Sequence, residues 1–445
     1  MDQRITGSTA TEIAQSVRDL RDRGMLGGGD ALPPVRTLAE RLGVNRNTVV
    51  AAYRQLAQAG IAHTFGRGGT RIVDHSPAPQ EGFAADNVLR DVGTGNPDPG
   101  MIPDPARALG AVVGRPVLYG EPVIDDGLER WAREWMSGDL PSRDVRLTVT
   151  SGAVDAVERL LTQALTRDDA VALEDPCWLA GIQTARLGGY RTVPVPLDDQ
   201  GMTVDGLRAA LDAGARAVIC TPRAQNPTGV SLTPRRAAAL REVLAVHPYV
   251  LVIEDDHFSL LSRQPFHGIV PAGHRRFALV RSVSKFLGPD MCLAVVASDP
   301  TTAQRLALRL SPGTTWVSHL LQRLAHALLA DPSVRTGIAA ASTHYAARND
   351  AFAERLARLG AGTLGLAVSA GDGLNLWVGV PAPARDVCEQ LMRRGWLARS
   401  GDDFVLSDAA SGHLRLTVHD LDDADAAALA ADLVAAVTAA TAKVG

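Results

Sequence analysis

The sequence predicts an α/β protein that carries an N-terminal winged helix-turn-helix, a large domain on a mostly parallel sheet, and a small α+β domain at the C-terminus. Three observations predict it. Apolar positions near the N-terminus repeat with helical spacing and then give way to a glycine-rich hairpin pattern. In the middle of the chain short apolar runs alternate with helical stretches, the rhythm of parallel strands joined by crossover helices. Beyond about residue 330 come a long helical pattern, short strands and an alanine-rich helix. At 445 residues the chain is also too long for one core.

Residues 10–24 read as an amphipathic helix that ends near Gly27, Gly28 and Gly29. Leu38, Ala39 and Leu42 give a second helix, broken by Gly43. Asn45 caps a third, whose apolar face is Val49, Ala52, Tyr53 and Leu56. Gly60 ends that helix, and IAHTFGRGGTRIV reads as a two-stranded hairpin. The loose stretch HSPAPQEG marks a linker. The expected parts are therefore a head over 1–73, a linker over 74–90, a large domain over 91–330 and a small domain over 331–445. The runs VRLTVT, AVALE, RTVPVPL, ARAVICT, YVLVIED, FALVRSV and LAVVAS are the strands of the large sheet. In sheets of this kind ligands gather at the carboxyl ends of the strands. GLNLWVGV, FVLS and LRLTV supply the strands of the small domain, and a helix from residue 422 closes the chain.

Composition narrows the function. The start, MDQRITGSTATEIAQ, lacks the charged-then-apolar pattern of a secretion signal, and no stretch approaches the ~20 uninterrupted apolar residues of a membrane helix. A cytoplasmic protein without a membrane partner is expected. Cys177, Cys220, Cys292 and Cys388 are scattered, with no CxxC and no paired histidine spacing, so reduced thiols and no metal site are expected. The net charge is −4, yet between Ala31 and Arg71 six arginines stand against the single acid Glu40, a balance that suits a polyanion. Of the 45 basic residues only Lys285 and Lys443 are lysine. A chain that writes nearly every cation as arginine yet keeps Lys285 in an apolar stretch points to chemistry that needs an amine, because a guanidinium forms no Schiff base.

The stretch LPPVRTLAERLGVNRNTVVAAYRQLAQAGI resembles the GntR family of bacterial regulators. The resemblance implies that the second helix of the pair enters the major groove of double-stranded DNA, with Asn45, Arg46, Asn47 and Thr48 facing bases and phosphates. Arg36 would assist from the preceding helix, and Gly66 and Arg67 at the wing tip would approach the minor groove or the backbone. Any one of these arginines alone could merely solvate a helix. It is their coincidence with the supersecondary pattern that points to DNA.

Several residues at strand ends converge on a second chemistry. Lys285 sits in RSVSKFLGPD, directly after an apolar strand, and Asp255 ends YVLVIED, where a buried carboxylate could face a pyridine nitrogen. Asn226 lies in QNPTG, and its amide can donate to a phenolic oxygen. Ser151, Gly152 and Ala153 join a strand to a helix N-terminus, a place suited to phosphate. Trp178 in EDPCW offers an aromatic face. Singly these are weak, since a strand-end Asp is often a helix cap, NPTG often only a turn, and a Trp usually core. Their order and spacing, with Tyr119 and the late RLT at Arg415, resemble the fold-type-I pyridoxal-phosphate-dependent aminotransferases over residues 91–445.

That resemblance implies pyridoxal 5′-phosphate as cofactor, with Lys285 as the amine that condenses with its aldehyde. Asp255 would pair the ring nitrogen, Asn226 the ring hydroxyl, and Trp178 would stack on the ring. Ser151, Gly152, Ala153 and Ser282 would hold the phosphate, with Tyr119 reaching it across a dimer interface. Arg415 would clamp a ligand carboxylate with its bidentate fork. A GntR head joined to such a body is the MocR subfamily, and SGAVDAVERLL, EDPCW, EDDHF and RSVSK are most similar to its PtsJ type, which implies control of vitamin B6 metabolism. A homodimer that senses pyridoxal phosphate or a related small molecule is implied as well, with each head against the partner's large domain. The other readings are an active aminotransferase with a DNA-tethering head, and a cofactor-free repressor with a vestigial pocket.

Two positions depart from the family pattern. His257 stands where a tyrosine usually bonds the ring oxygen; a histidine can donate or accept and titrates near neutrality, so a pH-sensitive contact and a structural role are both open. Cys292 stands where an arginine usually clamps the phosphate. Loss of a charge-assisted contact of that kind costs on the order of 1.5–3 kcal/mol. Cys292→Arg is therefore expected to bind pyridoxal phosphate about ten- to a hundredfold more tightly in an equilibrium titration. An unchanged affinity would hand the task to another cation such as Arg223 or Arg281.

Overall fold

The computed structural model describes residues 5–58, 61–64, 69–72, 88–142, 144–310, 313, 315–369, 371–407 and 410–442. The chain divides into two compact units, Met1–Pro79 and Gln80–Gly445.

In the first unit, α1 (Ala10–Asp22) opens with a capping box in which Thr9 and Glu12 bond each other's backbone. Its Ile13, Ala14, Val17 and Leu20 are buried. The second helix, α2 (Val35–Leu42), stops at Gly43, whose φ of 65° is the left-handed conformation that ends a helix at little cost to glycine. Asn45 then accepts from the Asn47 N–H at 2.8 Å and starts α3 (Arg46–Gln58). Val49, Ala52, Tyr53 and Leu56 are all buried, so the face expected from their spacing is the one that packs. Two short strands, β1 (Ala62–Thr64) and β2 (Thr70–Ile72), pair antiparallel as the stem of the wing. Gly66 and Arg67 lie outside the described residues.

The second unit holds an eight-stranded sheet of β3 (Arg146–Thr150), β4 (Ala170–Asp175), β5 (Arg191–Asp198), β6 (Gly201–Met202), β7 (Ala215–Cys220), β8 (Leu251–Asp255), β9 (Phe277–Ser282) and β10 (Ala294–Ser298). Its spatial order is β3-β10-β9-β8-β7-β4-β5-β6. The central strands run parallel, while β10 (the run LAVVAS) lies antiparallel to both its neighbours. These strands read as unbroken apolar runs because both faces are covered. Val171, Leu173, Leu251, Ile253, Ala278 and Val280 face one core, shared with α4 (Gly152–Ala164), and alternate residues such as Ala172, Val252 and Leu279 face the cores on the other side.

The long helix α5 (Pro332–Arg358) straddles two cores: Val334, Ile338, Ala341 and Tyr345 pack with the large sheet, Phe352 and Leu356 with the small one. The small sheet has the order β11-β12-β14-β13, from β11 (Ala367–Ser369), β12 (Asn375–Gly379), β13 (Arg399–Ser400) and β14 (His413–Thr417). FVLS is not a strand. Phe404 ends a 3-10 turn, and the backbone of this stretch bonds outward instead, with Phe404 O accepting from Cys177 N and Leu406 N donating to Asp175. The helices α6 (Ala384–Met392) and α7 (Asp423–Thr441) cover the small sheet. By length and composition α7 could cross a membrane, but its Leu429, Leu433, Ala436 and Val437 are buried in the small-domain core. Val92 joins that core too, and Arg90–Asp91 pairs parallel with Trp396–Leu397.

Leu56 is fully buried at the centre of the head's core. Leu56→Ala is expected to lower the head's unfolding free energy by about 2–5 kcal/mol, measured by denaturant titration.

Candidate functional site

The site is assembled by strand register. Ser282 pairs with Ala294, and Ala294 with Thr150, so the ends of β9 and β3 and the start of β10 meet at one edge of the sheet. This brings Ser151, Gly152 and Ala153 beside Cys292, whose thiol donates to Ser151 O at 3.4 Å. On the neighbouring strand Asp255 stands level with Val280, and Lys285 follows β9 on a single helical turn. An open cavity beside them is walled by Gly95, Asn226, His257, Phe258, Lys285 and Asp372, among others.

Two adjacent carboxylates at the end of β8 fare differently, because successive side chains on a strand point to opposite faces. Asp256 accepts from Arg223 at 2.7 and 2.8 Å and from Arg281 at 2.7 Å. Although burial opposes it, this pair of guanidiniums holds the Asp256 carboxyl below its ordinary range. Asp255 is equally buried, and its Oδ1 has no hydrogen-bond partner among the described residues. Burial, and after it the charge of Asp256, pushes Asp255 up to about 7, while the charge of Lys285 pulls the other way. A buried carboxylate oxygen with no donor is costly in a finished core. It suits a ligand that brings an N–H, as a protonated pyridine ring does.

The remaining expected residues divide into two groups. Arg415 is fully buried, lies over the Phe404 ring at 4.9 Å, and donates to Asn226 Oδ1 at 3.2 Å and to Gly93 O at 2.7 Å. Asn226, its oxygen so engaged, is also one of the cavity's walls. Lys285 Nζ donates to Gly95 O at 2.9 Å. Ser282 is buried and shares a 3.1 Å hydroxyl contact with Ser284. Trp178 caps the helix Leu179–Leu187 at the end of β4, half-buried and outside the cavity's walls. Tyr119 is 86% exposed and lies against Trp316 at 5.3 Å, so within one chain it meets no part of this cavity. Arg223 and Arg281, the substitutes considered for Cys292, are both bound to Asp256.

Sequence reasoning missed the strap Gly93–Asp98. Besides Lys285 and Arg415, Thr417 Oγ1 accepts from Gly95 N, His419 Nε2 bonds Asn96 O, and the Tyr345 hydroxyl accepts from Asp98 N. These partners are hundreds of residues away and leave no local signal. It also missed the Asp256 clamp, which the doubled acid of EDD could have flagged, since alternation on a buried strand forces one carboxylate away from the site.

On the head, Asn45, Arg46 and Asn47 are exposed at the start of α3, with Thr48 half-buried behind them. Arg36 is exposed and paired with Glu40 at 2.9 Å. Two of the other counted arginines hold the head together: Arg41 donates to Ile5 O and Arg71 to Gly29 O.

The raised Asp255 carboxyl has a measurable sign. The folded chain keeps this proton at pH values where the unfolded chain, titrating near 4, has lost it, so the cost of the buried charge grows from about pH 4 and is complete above about pH 7. Asp255→Asn is expected to stabilise the ligand-free chain by on the order of 4 kcal/mol at pH 8 and hardly at pH 4, read from denaturant unfolding at the two pH values.

Residues 116–433 match the family described as aminotransferase class I and II, and residues 9–72 match the bacterial regulatory proteins of the gntR family. The chain is 44% identical over 431 residues to the vitamin B6 salvage pathway transcriptional repressor PtsJ of Salmonella typhimurium, covering 96% of this chain and 98% of that one. It is 28% identical over 324 residues to the pyridoxine biosynthesis transcriptional regulator PdxR of Corynebacterium glutamicum, covering 68% and 69%. The fold is similar to that of Pyrococcus horikoshii kynurenine aminotransferase, with a TM-score of 0.71 at 20% identity over 80% of this chain and 92% of the other. A gntR head on an aminotransferase class I and II body, 44% identical to PtsJ almost from end to end, places this chain in the MocR subfamily of GntR regulators.

Proposed function

We propose that the chain is a DNA-binding transcription regulator of vitamin B6 metabolism whose body responds to pyridoxal phosphate. The observation that carries the ligand half is the donorless Asp255 oxygen beside Lys285. The DNA half is supported by the exposed Asn45-Arg46-Asn47 end of α3 in a gntR head. The name of the Salmonella typhimurium relative supports the metabolic role.

When bound, pyridoxal phosphate supplies an aldehyde for an amine and a ring nitrogen whose proton answers a carboxylate. In this chain Lys285 would hold the aldehyde carbon, Asp255 the ring nitrogen, and Asn226 the ring hydroxyl through its amide nitrogen. Ser151, Gly152, Ala153 and Ser282 would border the phosphate end, and His257 and Trp178 would flank the ring. Arg415 would meet a ligand carboxylate. Lys285 and Arg415 both anchor the Gly93–Asp98 strap, so any ligand that engages them withdraws donors from Gly95 O and Gly93 O. The strap continues in sequence through residues 74–90 to the head, which gives the pocket a covalent route to the DNA reader.

A second copy of the chain fits the exposed apolar segment before the large sheet, where Val113 is 85% exposed and Leu118 and Tyr119 follow. Tyr119 would then reach the partner's phosphate end. The assembled set of Lys285, Asp255, Asn226 and Arg415 also leaves transamination open as a second reading.

The test is DNA binding by the full chain on the region upstream of its own gene. Affinity is expected to fall steeply with salt, to shift about fivefold or more with pyridoxal phosphate, and to lose that shift in Lys285→Ala. Arg46→Ala is expected to cost about 1–3 kcal/mol of DNA affinity. Steady turnover of an amino acid with a keto acid would favour the enzyme instead, and DNA binding indifferent to the aldehyde would sink the sensor.

A further inference from the structure

We infer that the pocket selects its ligand by the pyridine aldehyde and not by the 5′ phosphate, so that an unphosphorylated pyridoxal-type aldehyde binds about as well as the phosphate ester. The inference rests on the reading of Lys285 and Asp255 as the ring end of the site. That end is finished: a buried carboxylate, an amine and an oriented amide converge there.

The opposite end is not built for a dianion. Cys292 occupies the place beside the Ser151–Gly152 turn, close enough that a Cβ on Gly152 would lie 3.5 Å from its sulfur. A thiol offers a phosphate one weak donor and no charge. The turn itself is already partly answered from within, because Asp155 accepts the Ser151 N–H at 3.1 Å. A carboxylate thus sits at the helix N-terminus where an incoming phosphate would look for bare N–H groups and a positive dipole end. The arginines of the neighbouring strand ends do not compensate. Arg223 and Arg281 are held by Asp256. Arg159 bonds Asp155 and the Arg309 carbonyl, and it stands seven residues along α4 from Gly152, about 10 Å at the rise of an α-helix. The Ser282 hydroxyl is engaged with Ser284. Among the described residues a phosphate therefore gains hydrogen bonds at this end without a guanidinium partner, and it stands close to the Asp155 carboxylate, which Arg159 pairs at 2.6 Å, as an unphosphorylated ligand need not.

The experiment compares pyridoxal phosphate with 5′-deoxypyridoxal, which has no 5′ oxygen to cyclise on to its own aldehyde. Binding to the full-length protein is read by equilibrium dialysis and visible absorbance. The two dissociation constants are expected to agree within tenfold. Cys292→Arg is expected to widen the preference for the phosphate ester by ten- to a hundredfold and to leave 5′-deoxypyridoxal unchanged. Asp155→Asn is expected to move it in the same direction by a smaller factor. A wild-type preference for the phosphate ester beyond tenfold overturns the inference while leaving the ring-end reading intact. Failure of both aldehydes to bind overturns the ring-end reading, and the inference with it.

Discussion

Two carboxylates side by side at the end of one buried strand organise the body of this protein. Asp256 is neutralised by two guanidiniums, which themselves lie against Phe266 and, for Arg281, Trp135. That clamp fixes the chain at the end of β8, and the alternation of side chains then turns Asp255 to the opposite face, within reach of the Lys285 charge. A core assembled for stability alone would pair both acids or replace them by apolar residues. Leaving one bare beside the described lysine destabilises the empty fold, and it stabilises whatever answers the charge. The same economy recurs at the rim, where Asn226 is oriented by Arg415 and Arg415 by the Gly93 carbonyl.

Much of the architecture was legible because burial on two faces makes parallel strands conspicuous. AVALE, ARAVICT, YVLVIED and FALVRSV need apolar side chains at every position, and helical spacing does the same for Val49, Ala52, Tyr53 and Leu56. What could not be read was direction and partner. LAVVAS looks like its neighbours in composition yet runs antiparallel to them, since nothing local encodes the sense of a strand between two others. FVLS has strand-like residues, but Phe404 is drawn beneath the Arg415 guanidinium and its carbonyl answers Cys177, so tertiary contacts override propensity.

The site followed the same division. Lys285, Asp255 and Asn226 announced themselves by residue type after apolar runs and Arg415 came from the resemblance; the fold sets Arg415 against Asn226 and Lys285 within reach of Asp255. Trp178 was legible as an aromatic face in EDPCW and Tyr119 came from the resemblance, and a single chain holds neither among the cavity's walls. Cys292 was legible as a departure, but its meaning depended on where Arg223 and Arg281 point, which only the three-dimensional arrangement reveals. In the head, charge counting overstated the DNA-facing surface, because Arg41 and Arg71 tie backbone carbonyls within the fold.

Lys285 is the one lysine among the described residues, in a surface otherwise written in arginine. Free aldehydes condense readily with accessible amines, which on a protein are chiefly lysine side chains. A guanidinium surface offers almost none. An aldehyde captured at Lys285 would therefore report its concentration in solution with little adventitious load on the protein's exterior, much as a meter reads truest when it draws no current.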